Sequence, residues 1–253
     1  MTAAAGAVVA LAQLHLPSER FWAGWAGLQW VSVAVLASVI GDDAVRAVNH
    51  AVRAARIREY DNDLRAALSA VIGAVVDSTG APWDEISARY FRRRGLPWPR
   101  EGWPERRWSW LLRPRLVQVG AVQAGADLAA DSLRPGEGVA GLAFADQVVI
   151  AEQWRLFART ATEQGPAAWA QRPARARYGL TWGQLRRAAQ PEGMVAAPTF
   201  DAAGRPDGCL LVSGPVKMPD LVSDNMRQTL DDFATVIDCL GPPPSGWWGA
   251  HAH

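Results

Sequence analysis

"RPGEGVAGL", Arg134 to Leu142, places Gly136, Gly138 and Gly141 in the spacing G-x-G-x-x-G. In a dinucleotide-binding turn that spacing follows a buried parallel strand and opens a long helix, so that backbone N–H groups face a pyrophosphate. Here "DLAADSLRP" precedes the glycines, and the strand-like "QVVIAE" follows a few residues later. The surrounding order is helix, strands, irregular segment, strands, helix, which is not the alternation of a doubly wound fold. The glycines are therefore expected to shape a bend in an α+β domain, with Val139, Leu142 and Phe144 facing the core and no NAD bound.

Working outward, "EISARYFRRR", "LVQVGAVQA", "QVVIAE", "GMVAAPTF" and "GCLLVSGPV" are short runs rich in β-formers and separated by turn signals. The last two form a hairpin around "DAAGRPDG", with Gly204 and Gly208 at its bend. A closing amphipathic helix is expected from about Asp220 to Leu240, with Leu221, Met226, Leu230, Phe233, Val236, Ile237 and Leu240 on its apolar face. Residues 241–253, "GPPPSGWWGAHAH", are expected to be a disordered tail.

The N-terminal quarter differs in character. "FWAGWAGLQWVSVAVLASVIG", residues 21–41, carries no charge, and about 20 helical residues span a bilayer core. Arg46, Arg53, Arg56 and Arg58 follow, against Arg20 alone on the other flank, so a span here would leave the main domain cytoplasmic. A shorter apolar stretch at about 3–16 is either a second span or an irregular start; a buried core helix is the alternative for 21–41. Residues 42–60 then read as a connecting helix. Val45, Val48, Val52, Ile57, Tyr60, Leu64, Leu68, Val71 and Val75 make a seam with a phase shift near Arg56, pointing either to a parallel homodimer through residues 45–75 or to one amphipathic helix packed on its own domain.

Composition narrows the chemistry. A chain of 253 residues with net charge +1 accommodates one sizeable domain and makes no global case for nucleic acid. Two cysteines, Cys209 and Cys239, both in apolar runs, read as core residues rather than as a disulfide or metal cluster. The four histidines are His15, His50, His251 and His253, and none lies between residues 51 and 250, so no metal or haem ligand set is expected within the domain. Thirteen tryptophans are the compositional oddity, and two segments concentrate them beside arginine. "RYFRRRGLPWPREGWPERRWSWLLRPR" fits a solvated loop, with anionic lipid or single-stranded nucleic acid as alternatives.

"LRPGEGVAGLAFADQVVIAE" followed by "EGMVAAPTFDAAGRPDGCLLVSG" resembles two strings of the GAF domain, a sensory module related to PAS. The resemblance covers roughly residues 60–240, with helices at Asp61–Asp77 and Asp220–Leu240 where that family has its flanking helices. It implies an antiparallel sheet of about five or six strands, helices on one side and a ligand cavity, where present, on the other. It also implies what is missing: no bilin-attachment cysteine in a pocket loop, no haem histidine, no cyclic-nucleotide signature, and no cysteines at the positions used by the branch that reduces free methionine sulfoxide. No catalytic residue, no enzyme activity and no cofactor are therefore expected.

The segment "EQWRLFARTATEQGPAAWAQRPARARYGLTWGQLRRAAQPEG" lies where that family covers its cavity. Phe144, Trp154, Phe157, Trp169, Tyr178 and Trp182 could line an apolar pocket there, with Arg155, Arg159 or Arg177 pairing a carboxylate or phosphate. The alternative is that the rings fill the space as a plug. The expectation from sequence is a membrane-anchored cytoplasmic module at the cell membrane, sensing an unnamed small molecule and acting through dimer helices on an unidentified downstream signalling protein. A ligand-free interaction module is the other reading.

Overall fold

The computed structural model describes Ala10, Gln13 and residues 26–94, 115–123, 132–187 and 191–251. The chain divides into two compact units, Tyr60–Pro242 and a second made of Met1–Glu59 with Pro243–His253.

The larger unit is an α+β domain on a six-stranded antiparallel sheet of order β3-β2-β1-β6-β5-β4. The strands are β1 (Ser87–Arg94), β2 (Arg115–Gln123), β3 (Ser132–Leu133), β4 (Ile150–Glu152), β5 (Gly193–Phe200) and β6 (Pro206–Gly214). Residues opposite each other in the ladder share a face. Ala88 faces Val212 and Tyr90 faces Leu210 on one side, while Arg89 faces Leu211 and Phe91 faces Cys209 on the other. All these residues are buried, and apart from Arg89 they are apolar on both faces, so β1 and β6 are covered on both sides.

One face is covered by helices. The helix α1 (Ala26–Thr79) places Leu64 and Leu68 against β2, close enough that a Cβ on Gly120 would meet both. Tyr60, Leu64, Leu68, Val71 and Val75 are buried there, so this half of the seam packs on the chain's own core. The closing helix α6 (Asp224–Leu240) packs on β5, and Ser223 caps it by accepting from the Met226 N–H at 3.2 Å. Met226, Leu230 and Ile237 are buried, whereas Val236 is exposed. Cys239 is also exposed, against the expectation of a core thiol. A one-turn helix α5 (Met218–Leu221) precedes it.

Two further helices occupy the region read from sequence as bend and irregular segment. The glycine run opens α2 (Gly138–Asp146) rather than entering the sheet directly, and α3 (Trp154–Gln171) follows β4. A short α4 (Trp182–Arg187) completes the covering.

In the smaller unit, α1 continues without interruption from Ala26, and α7 (Trp247–Ala250) forms one turn where a disordered tail is expected, with His251 stacked on Trp247 at 4.1 Å. No helix among the described residues is long and apolar enough to cross a membrane, so the span expected at 21–41 finds no support among them. Residues 21–25, most of the stretch at 3–16 and the arginine-tryptophan segment between 95 and 114 lie outside the described residues.

Candidate functional site

The second face of the sheet carries the tryptophan-rich covering. Phe91, Leu116, Ala196, Cys209 and Leu211 form its floor, with Met194 at one edge; α2 contributes Val139, Ala140, Ala143 and Phe144. From above come Trp154, Ala158, Ala161 and Trp169 of α3, then Tyr178, Leu180 and Leu185, with Phe157 and Trp182 packed against them.

The rings contact one another directly. Phe157 lies 5.2 Å from Trp154, 5.1 Å from Tyr178 and 5.9 Å from Trp169, centroid to centroid. Trp154 meets Tyr178 at 5.6 Å, and Trp182 meets Trp169 at 6.2 Å. Most of these are edge-to-face or tilted, the arrangement that aligns ring edges with π faces. The α3 backbone makes the convergence possible: Gly165, at φ 81 and ψ 173 just before Pro166, breaks the helix so that Trp169 turns back toward Phe157. Trp169 then donates its indole N–H to the Leu180 carbonyl at 3.3 Å.

The glycine motif holds this covering down. Gly138 N–H donates to the Tyr178 carbonyl at 2.8 Å, Gly136 N–H to Gly141 and Glu137 N–H to Arg134. The backbone donors that would cradle a phosphate are thus already bonded to protein carbonyls. Gly141 admits no side chain, because a Cβ there would overlap the Arg134 carbonyl oxygen. Glu137 bonds Gln184 at 2.6 Å through one carboxylate oxygen and the Arg134 N–H at 3.1 Å through the other.

Polar groups edge the rings. Tyr178 donates to Glu152, and burial together with that carboxylate pushes its phenol up. Arg172 lies over the rings of Trp169 and Phe157, 5.5 and 5.9 Å from their centroids, and bonds Gln164. Trp154 Nε1 and Arg177 Nε are buried with no hydrogen-bond partner among the described residues. On the floor side, Cys209 is fully buried, and burial pushes its thiol up, which keeps it protonated.

Of the residues singled out from sequence, Phe144, Trp154, Phe157, Trp169, Tyr178 and Trp182 meet in this compartment, and Arg177, next in sequence to Tyr178, has its Nε buried. Arg155 and Arg159 stand elsewhere, exposed on the outer side of α3; Arg159 pairs with Glu163 one turn on at 3.7 Å. Sequence reasoning missed Glu152, Arg172 and Arg89. Arg89 is 2% exposed inside β1, a cation on the compartment side of the sheet, and its position in an alternating run of β-formers gives no hint of this. No metal-binding group of three or more ligands occurs among the described residues.

The architecture places the chain in the class of α+β domains with one six-stranded antiparallel sheet between flanking helices and a covered second face. No family model matches the sequence, and no curated protein matches it. Solved structures similar to it include the type II free methionine-R-sulfoxide reductase of Thermoplasma acidophilum, at 10% identity over 73% of this chain and 94% of that one, TM-score 0.43. The free methionine-R-sulfoxide reductase of Neisseria meningitidis, solved with its substrate, matches at 13% identity over 75% and 83% with TM-score 0.39. A GAF domain structure matches at 10% identity over 65% and 67%, also with TM-score 0.39. The expectation of no enzyme activity is corrected by these neighbours: reductases stand among them, so its exclusion of enzymes does not hold. At these identities the likenesses assign neither an activity nor a substrate to this chain.

Proposed function

We propose that this chain is a regulatory module of the GAF kind, whose second sheet face is filled by its own aromatic side chains and which passes information through contacts with other protein surfaces. One observation carries the reading: Trp154, Phe157, Trp169 and Tyr178 form a continuous set of ring contacts between 5.1 and 5.9 Å. Rings in mutual contact hold the place that a small molecule would take. The two strings of sequence resembling the GAF family support the same class.

The test is a thermal-shift panel of amino acids, nucleotides, short-chain acids and tetrapyrroles on the full chain, with tryptophan fluorescence as second readout. No shift beyond about 1 °C with any member is expected; a saturable stabilisation of several degrees overturns the filled-compartment reading.

A sensor of small acceptor-bearing molecules is the second reading, and a specific observation favours it. Trp154 Nε1 and Arg177 Nε are two buried donors without a partner, and such groups cost about 1–3 kcal/mol each when left unsatisfied. A ligand with an acceptor oxygen at either donor would satisfy it, so shifts confined to oxyanions in the same panel would select this reading.

A further inference from the structure

The N-terminal half of α1 presents apolar side chains to solvent: Val45, Val48 and Val52 are 60%, 61% and 45% exposed. Their spacing of three and four puts Val45 and Val52 at position a of a heptad and Val48 and Ala55 at position d, a seam that is stable only when a partner covers it. Asp42, Asp43, Arg46, His50, Arg53 and Arg56 are all exposed around that seam, a distribution incompatible with burial in lipid hydrocarbon.

We infer that the partner is a second copy of this chain, paired antiparallel through residues 42–56. The charges set the direction. The positions that flank the seam are Asp42, Asn49 and Arg56 on one side and Ala44, Ala51 and Arg58 on the other. In a parallel pair the flanking positions of residues 42–56 meet across the seam in combinations that contain no opposite charges, Arg56 beside Ala51 and Asn49 beside Ala44, and Arg58 would reach an Asp63 only beyond the seam, where Leu64 is buried in its own domain. In an antiparallel pair with its two-fold axis at the level of residues 49 and 50, Val48 packs on Val52 of the other copy and Val45 on its Ala55. Asp42, which pairs with Arg46 of its own helix at 2.7 Å, then also lies beside Arg56 of the other copy, twice, and the two Asn49 amides meet at the axis. Residue i contacts j and j contacts i, as an isologous interface requires. The phase shift at Arg56 ends the seam where α1 begins to bury Tyr60 and Leu64 in its own domain.

This deepens the regulatory reading by naming one protein surface the module contacts, and it is independent of whether the aromatic compartment takes a ligand. The test uses the full chain with Cys239→Ser, since Cys239 is the exposed thiol and Cys209 is buried. Val45→Cys with Ala55→Cys on one chain is expected to give a disulfide-linked dimer on mild oxidation, whereas Val45→Cys alone gives none. Asp42→Arg and Arg56→Asp are each expected to weaken the dimer about tenfold in sedimentation equilibrium, and the double charge exchange to restore it. Cross-linking by Val45→Cys alone, a double exchange that fails to restore association, or a monomer at about 100 μM overturns the proposal.

Discussion

At the residue scale, a few side chains are fixed by constraints that a single atom exposes. Tyr178 and Gly179 adopt left-handed backbone angles, φ 51 and φ 61, where the chain turns to deliver the Tyr178 carbonyl to Gly138. A Cβ at Gly179 would overlap the Gly136 carbonyl oxygen, so Gly179→Ala combines backbone strain with displacement of the glycine turn. It is expected to lower the urea unfolding free energy by about 1–3 kcal/mol, read from the midpoint at constant m-value. Tyr90 supplies a pH test. Desolvation pushes its phenol up to about 12, opposed by the hydrogen bond with Thr199 and by the Arg92 guanidinium. The folded chain therefore keeps this proton to higher pH than the unfolded chain, whose phenol titrates near 10.0. The stabilisation is complete below pH 10 and is lost as pH rises toward 12, roughly 2–3 kcal/mol in all. Tyr90→Phe should flatten the fall in melting temperature between those limits; an unchanged slope would assign the alkaline loss to other groups.

At the element scale, legibility followed the strength of the local pattern. The β5–β6 hairpin was readable because "DAAGRPDG" is a run of turn residues between two apolar runs; the structure keeps Gly204 at the bend and corrects Gly208, which lies inside β6 opposite Thr199. The Asp201 carboxylate accepts from the Ala203 and Arg205 N–H groups, both at 2.9 Å, and Gly204 takes φ 71. The helices α2 and α3 were missed for a physical reason. Gly138 and Gly141 read as breakers although the first sits at a helix start, and Gly165-Pro166 reads as an end although the chain resumes helical geometry beyond it. The long α1 was legible as a helix, but its seam changes role along its length, from exposed at Val45–Val52 to buried from Tyr60 onward. Periodicity alone does not tell which partner fills a seam. Trp169, delivered by the α3 kink and 2% exposed, is the ring on which that element depends. Trp169→Ala is expected to cost about 3–5 kcal/mol by chemical denaturation, while Trp83→Ala, whose ring is 48% exposed, costs far less.

At the scale of the whole molecule, the two sheet faces do different work. The helix face ties α1 and α6 to the sheet, and Arg92 joins them there: it pairs with Asp207 on β6 and donates to the Gly241 carbonyl just past α6 at 2.6 Å. The other face is closed by aromatic rings held by the glycine turn. The sequence showed which rings would gather, because six of the nine residues singled out are aromatic and all six meet in the compartment. It did not show whether they would surround space or occupy it, since ring-to-ring distance depends on the α3 kink and on Tyr178's left-handed backbone, neither of which leaves a periodic signal. The most direct test is an experimental electron-density map of the full chain purified without added ligand. The filled compartment predicts Trp154, Phe157, Trp169 and Tyr178 in mutual contact at 5–6 Å between centroids, with nothing larger than water beside Trp154 Nε1. Continuous non-protein density between these rings, or rings parted by the width of a small molecule, would contradict it.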